Sequence, residues 1–67
     1  MIEHEIFNTR KKLGLTQDEL AKKCNVSRQT INSIERNKYV PSLELAFKIA
    51  EELDTEIDKL FIYIEEN

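Results

Sequence analysis

The tightest constraint on this sequence is the stretch 17–36, in which the apolar residues fall where two short helices must share one seam. Counted from Gln17, Leu20, Ala21, Cys24, Val26, Ile31 and Ile34 take the fourth, fifth, eighth, tenth, fifteenth and eighteenth places. The first three lie on one face of a helix from Gln17 to Cys24. Ile31 and Ile34, at i and i+3, lie on one face of another from Arg28 to Arg36. Thr16 with Glu19 three residues later forms a capping box for the first, and Ser27 caps the second. Asn25 stands where the chain must turn sharply, and Asn adopts the left-handed conformation more readily than any residue except Gly. Val26 then turns inward, and Ala21 is small where two steeply crossing helices approach most closely.

The flanking segments carry the same kind of punctuation. Residues 5–13 place Ile6, Arg10 and Leu13 on one helical face, and Gly14 supplies a left-handed stop. After the loop Asn37 to Pro41, Ser42 caps a helix from Leu43 to Leu53, whose predicted inward stripe is Leu43, Ala46, Phe47, Ala50 and Leu53. Asp54 and Thr55 turn the chain into a short fifth helix near Ile57 to Leu60. Phe61 to Ile64, β-branched and aromatic, then reads as a strand. Met1 to Glu5 also alternates, at Ile2 and His4, so the two ends of the chain are expected to pair as a short ladder. Alternation puts Ile62 and Ile64 on one face of it and Phe61, Tyr63 and Glu65 on the other.

With 67 residues, one Gly and one Pro, the chain reads as one small domain, 1–67, with no repeat or linker. No run approaches the roughly 20 apolar residues of a membrane-spanning helix, and the start has no basic region followed by an apolar one, as a secretory signal would. A lone cysteine points to a reducing cytoplasm. Cys24 occupies a core slot and has no resolving cysteine. His4 has no metal-ligand companion at helical spacing, and no nucleophile set or Gly-rich phosphate loop is present. The chain is therefore expected to be no enzyme, with no cofactor, no metal and no small-molecule ligand.

The net charge of −3 conceals a segregation. Residues 10–38 carry eight bases (Arg10, Lys11, Lys12, Lys22, Lys23, Arg28, Arg36, Lys38) against three acids, or +5, whereas residues 39–67 carry two bases against eight acids, or −6. One end of the molecule could face phosphate while the other repels it.

The run LTQDELAKKCNVSRQTINSIERNKYVPSLELAFKIAEELDTEIDKLF resembles the phage-repressor and Cro-like helix-turn-helix regulators, the xenobiotic-response-element family, over about residues 6–61. Its NKYVPSLELAFKIA segment is similar to the short stand-alone members. Two positions depart from the pattern: Thr9 stands where the first helix usually has a large apolar residue, and Leu13 where a base is common.

The resemblance implies an all-α fold, a five-helix lambda-repressor-like domain. Its third helix reads double-stranded DNA, and a homodimer on an inverted repeat acts as a repressor. Arg28 and Gln29, at the exposed start of that helix, are expected to read bases, Arg suiting guanine and Gln adenine. Thr30, Asn32 and Ser33 are further base candidates. Thr16, Gln17 and Ser27 at helix starts, with Asn37, Lys38 and Tyr39 after the third helix, are expected to hold phosphates. Arg10 and Glu35 are expected to join the first and third helices as a partly buried salt bridge. The apolar residues Ile57, Leu60, Phe61, Ile62, Tyr63 and Ile64, within a segment at about 57–65, are expected to face a second copy. A DNA-binding antitoxin and a protein-interaction module of the same fold stand as alternatives.

Overall fold

A computed structural model describes residues 1–66; Asn67, the last residue of the expected domain, lies outside the described residues. The order is β1 (Ile2–His4), α1 (Ile6–Lys12), α2 (Gln17–Cys24), α3 (Arg28–Glu35), α4 (Leu43–Glu52), α5 (Ile57–Leu60) and β2 (Phe61–Tyr63). The five helices and the ladder between the chain ends match the expected fold class. The strands run antiparallel, with Ile2 opposite Tyr63, Glu3 opposite Ile62 and His4 opposite Phe61.

Local chemistry sets these boundaries. The Thr16 hydroxyl accepts from the Glu19 N–H, and the Glu19 carboxylate accepts from the Thr16 N–H, a complete capping box. Ser27 and Ser42 cap α3 and α4 in the same way, accepting from the N–H groups of Thr30 and Leu45. Gly14, Asn25, Asn37 and Asp54 have φ of 71°, 58°, 59° and 55°, each just beyond a helix. There a left-handed residue lets the chain turn back on itself.

Ile6, Leu20, Cys24, Ile31, Ile34, Leu45, Ile49, Leu53 and Leu60 fill one core with Ala21 and Ala50, and Leu15, Val26, Ile57 and Phe61 pack against it. Two expectations need correction. In α4, Leu43 and Phe47 are 71% and 54% exposed, and Leu45 and Ile49 are buried instead. This helix carries two overlapping apolar stripes that share Ala46, Ala50 and Leu53, and the one turned toward α2 is buried. Leu13 is exposed because it lies past the last turn of α1, and Leu15, two residues on, packs against the core in its stead.

Candidate nucleic-acid interface

The start of α3 projects from the surface between two shallow clefts. Arg28 and Gln29 are exposed, directly after the Ser27 cap. One cleft is lined by Lys11, Gly14, Thr16, Gln17, Asp18 and Arg28, with Arg10 at its base. The other is lined by Ser27, Gln29, Thr30, Ser33, Lys38 and Tyr39. Each places at least one exposed cation beside the first turns of α3. One cleft adds the start of α2, whose free N–H groups favour an anion.

The capping hydroxyls limit what each residue can offer. Thr16 Oγ1 accepts from the Glu19 N–H, and its own proton can turn either to the Glu19 carboxylate or outward. Ser27 Oγ accepts from the Thr30 N–H and lies 2.9 Å from Thr30 Oγ1, so one of the two hydroxyl protons is spent between them and the other is left to donate outward. The Glu19 carboxyl is held below its ordinary range, first by the N–H and then by the hydroxyl of Thr16, which favour its ionised form.

Behind α3 lies a network of ionic and amide groups. Arg10 donates from Nε to Glu35 Oε2 at 2.7 Å and from Nη2 to Glu35 Oε1 at 3.0 Å, and their side chains are 7% and 5% exposed. Arg10 Nη1 also donates to the Leu15 carbonyl at 2.9 Å. Gln17 Nε2 donates to Glu35 Oε1 at 3.1 Å, and Gln17 Oε1 accepts from Asn32 Nδ2 at 3.3 Å. One of the two Gln17 amide hydrogens is thus committed inward, leaving the other for the surface.

Some residues singled out in the sequence sit elsewhere. Asn37 lines an apolar groove with Met1, Ile2, His4, Ile34, Tyr39, Val40, Pro41 and Phe61, which adjoins the second cleft at Tyr39. Leu60 is 1% exposed in the chain's own core, so it has no surface for a second copy. Ile57 and Phe61 are half-buried against that core, while Ile62, Tyr63 and Ile64 are exposed.

Sequence reasoning missed three features: the place of Lys11 in the first cleft, the hydrogen bond from Asn32 to Gln17, and the clasp of His4 Nε2 on the Ile34 carbonyl at 2.9 Å. Only the polar character of Asn32, in line with Arg28 one turn away, could have hinted at the second. Burial pushes the Cys24 thiol above its ordinary range, with the Glu52 charge adding to the effect. Among the described residues, no three His, Cys, Asp or Glu side chains gather to hold a metal ion. No described helix is long and apolar enough to cross a membrane.

Residues 6–60 match the model of a family described as helix-turn-helix. The chain belongs to the helix-turn-helix family. It is 60% identical over 50 residues to an uncharacterized HTH-type transcriptional regulator of Methanocaldococcus jannaschii, covering 75% of this chain and 76% of that protein. The structure is similar to that of SinR, a master regulator for biofilm formation solved in complex with DNA. The TM-score there is 0.74 at 35% identity, over 79% of this chain and 86% of that one. It is also similar to the clp gene regulator ClgR from Corynebacterium glutamicum, with a TM-score of 0.75 at 27% identity over 78% of this chain. This chain spans only 55% of the ClgR chain. In helix-turn-helix terms, α2 and α3 are the bihelical unit, with Asn25 at its turn.

Proposed function

We propose that this helix-turn-helix protein is a sequence-specific DNA-binding repressor that acts as a homodimer on an inverted repeat. The observation that carries the reading is the exposed Arg28–Gln29 start of α3, flanked by two clefts that hold Lys11 and Lys38. Inserted in a major groove, Arg28 pairs with guanine and Gln29 with an adjacent adenine. The α2 start, with Thr16 and Gln17, holds phosphate on one side, and Lys38 with Tyr39 holds it on the other. The likeness to a regulator solved in complex with DNA supports DNA as the partner. A small dimer seated on a promoter represses by occupying it.

The second copy docks on the apolar groove that starts at the C-terminal end of α3 and continues past Val40, Pro41, Leu43, Ala46, Ile57 and Phe61. The register of the ladder puts Ile2, Phe61 and Tyr63 on one sheet face, with Ile62 and Ile64 on the other. In this arrangement Ile57, Phe61 and Tyr63 join the interface, and Ile62 and Ile64 lie outside it. Two α3 helices then meet successive major grooves about 34 Å apart.

Selection of random duplex DNA by the purified protein, with affinity followed against salt, tests the reading. An enriched inverted repeat and a steep salt dependence are expected. No enrichment together with a flat salt response would overturn it.

A further inference from the structure

The Glu35 carboxylate accepts hydrogen bonds from Arg10 on α1 and from Gln17 on α2. An ionised carboxylate can only accept, so the Gln17 carboxamide must turn its NH2 toward Glu35. Its Oε1 is left facing α3, where the Asn32 carboxamide lies 3.3 Å away. That oxygen also can only accept, so Asn32 must turn its own NH2 toward Gln17. Each link leaves the next a single orientation. Polarity set in the buried ion pair is thereby passed to a half-exposed side chain four residues after Arg28.

We propose that Glu35 is a positioning residue for DNA reading: acting through Gln17, it fixes which way the Asn32 carboxamide faces. The inference rests on α3 entering the major groove. With its NH2 turned to Gln17, Asn32 offers Oδ1 and its second amide hydrogen to the base in front of it. That donor and acceptor pair matches the N6 and N7 edge of adenine. A reversed carboxamide would exchange donor and acceptor, and an unheld one would sample both orientations. The salt bridge thus has a second consequence besides joining α1 to α3.

The test is selection of random duplexes by the wild type and by the variants Asn32→Ala, Glu35→Gln and Gln17→Met. Gln at position 35 keeps the shape but donates as well as accepts, so Gln17 loses its single orientation. Met at position 17 removes the relay while the Arg10–Glu35 pair stays intact, so the link to Asn32 is still tested if Glu35→Gln does not fold. It also removes the Gln17 phosphate contact, which lowers affinity on all sequences alike, so the relay is read from the base preference and not from affinity. Circular dichroism melts identify which variants are folded at the assay temperature.

The wild type is expected to prefer one base by about tenfold at the pair that Asn32→Ala abolishes. In each folded relay variant that preference falls to about twofold, while the preference set by Arg28 is unchanged. Folded variants that keep every wild-type preference, whether or not they lose affinity uniformly on all sequences, would reduce Glu35 to a scaffold residue and overturn the proposal. A wild type that enriches no sequence would instead refute DNA reading itself, and this inference with it.

Discussion

His4 Nε2 lies 2.9 Å from the carbonyl oxygen of Ile34, so the first strand is fastened to the last turn of α3. A carbonyl only accepts, so Nε2 carries the proton, and Nδ1 is left to accept the Ile6 N–H at 3.4 Å. The ring also meets Phe61 edge-on, with centroids 6.2 Å apart. His4→Ala removes these ties while Ile34 keeps its bond from the Asn37 N–H. A loss of about 1 kcal/mol is expected in urea unfolding. An unchanged midpoint would mean that the ladder holds α3 without this clasp.

Arg28 and Lys38 flank the same helix but should fail differently when removed. Arg28→Ala should cost about 1 to 3 kcal/mol on the preferred site and relax choice at one base pair. Lys38→Ala should weaken all duplexes about equally and lower the salt slope by about one. Titrations of a preferred and a scrambled duplex at several salt concentrations separate the two. Uniform loss from Arg28→Ala would reassign it to phosphate.

The exposed side chain of Leu43 gives the dimer reading a clean probe. Leu43→Glu alters a residue that the folded chain leaves mostly in water, so helical content and folding should survive. Sedimentation should then show a monomer, whereas Ile62→Glu, on the opposite sheet face, should remain dimeric. The reverse pattern would move the interface to the outer face of the ladder.

The capping box at α2 has its own pH signature. Glu19 titrates below its ordinary range in the folded chain, so its contribution to stability is present above that range and is lost as pH falls through the folded value. Glu19→Gln removes the charge, so its thermal melts should differ from wild type at neutral pH and converge with it in acid. A gap that stays constant across the titration would count against the charged capping contact.

Much of this architecture can be read from short-range chemistry. Thr16, Ser27 and Ser42 mark helix starts because a side-chain oxygen there meets a free N–H, and Gly14 and Asn25 mark turns because few residues tolerate positive φ. These are decided within four residues. The inward face of α4 is not, since Leu43–Phe47 and Leu45–Ile49 both fit a helical stripe and only packing against α2 chooses between them. Leu13 misleads for a related reason: the periodicity continues on paper past Lys12, where α1 stops. The exposed start of α3 follows from its apolar spacing. The hydrogen bond of Asn32 to Gln17 and the clasp of His4 on Ile34 join residues 15 and 30 positions apart, and no local pattern announces them.

At the ladder's open end, the Met1 amino group donates to the Ile64 carbonyl at 2.8 Å, and the Ile64 N–H donates to the Met1 carbonyl at 2.7 Å. Topologically, this stretch of chain is almost a ring. A short peptide joining the two ends would close it with little rearrangement of the helices, and the circular molecule would lose entropy only when unfolded. A new opening cut in the exposed loop before Pro41 would then give a permuted chain with the same core, its breaks moved from the ladder to the loop after α3.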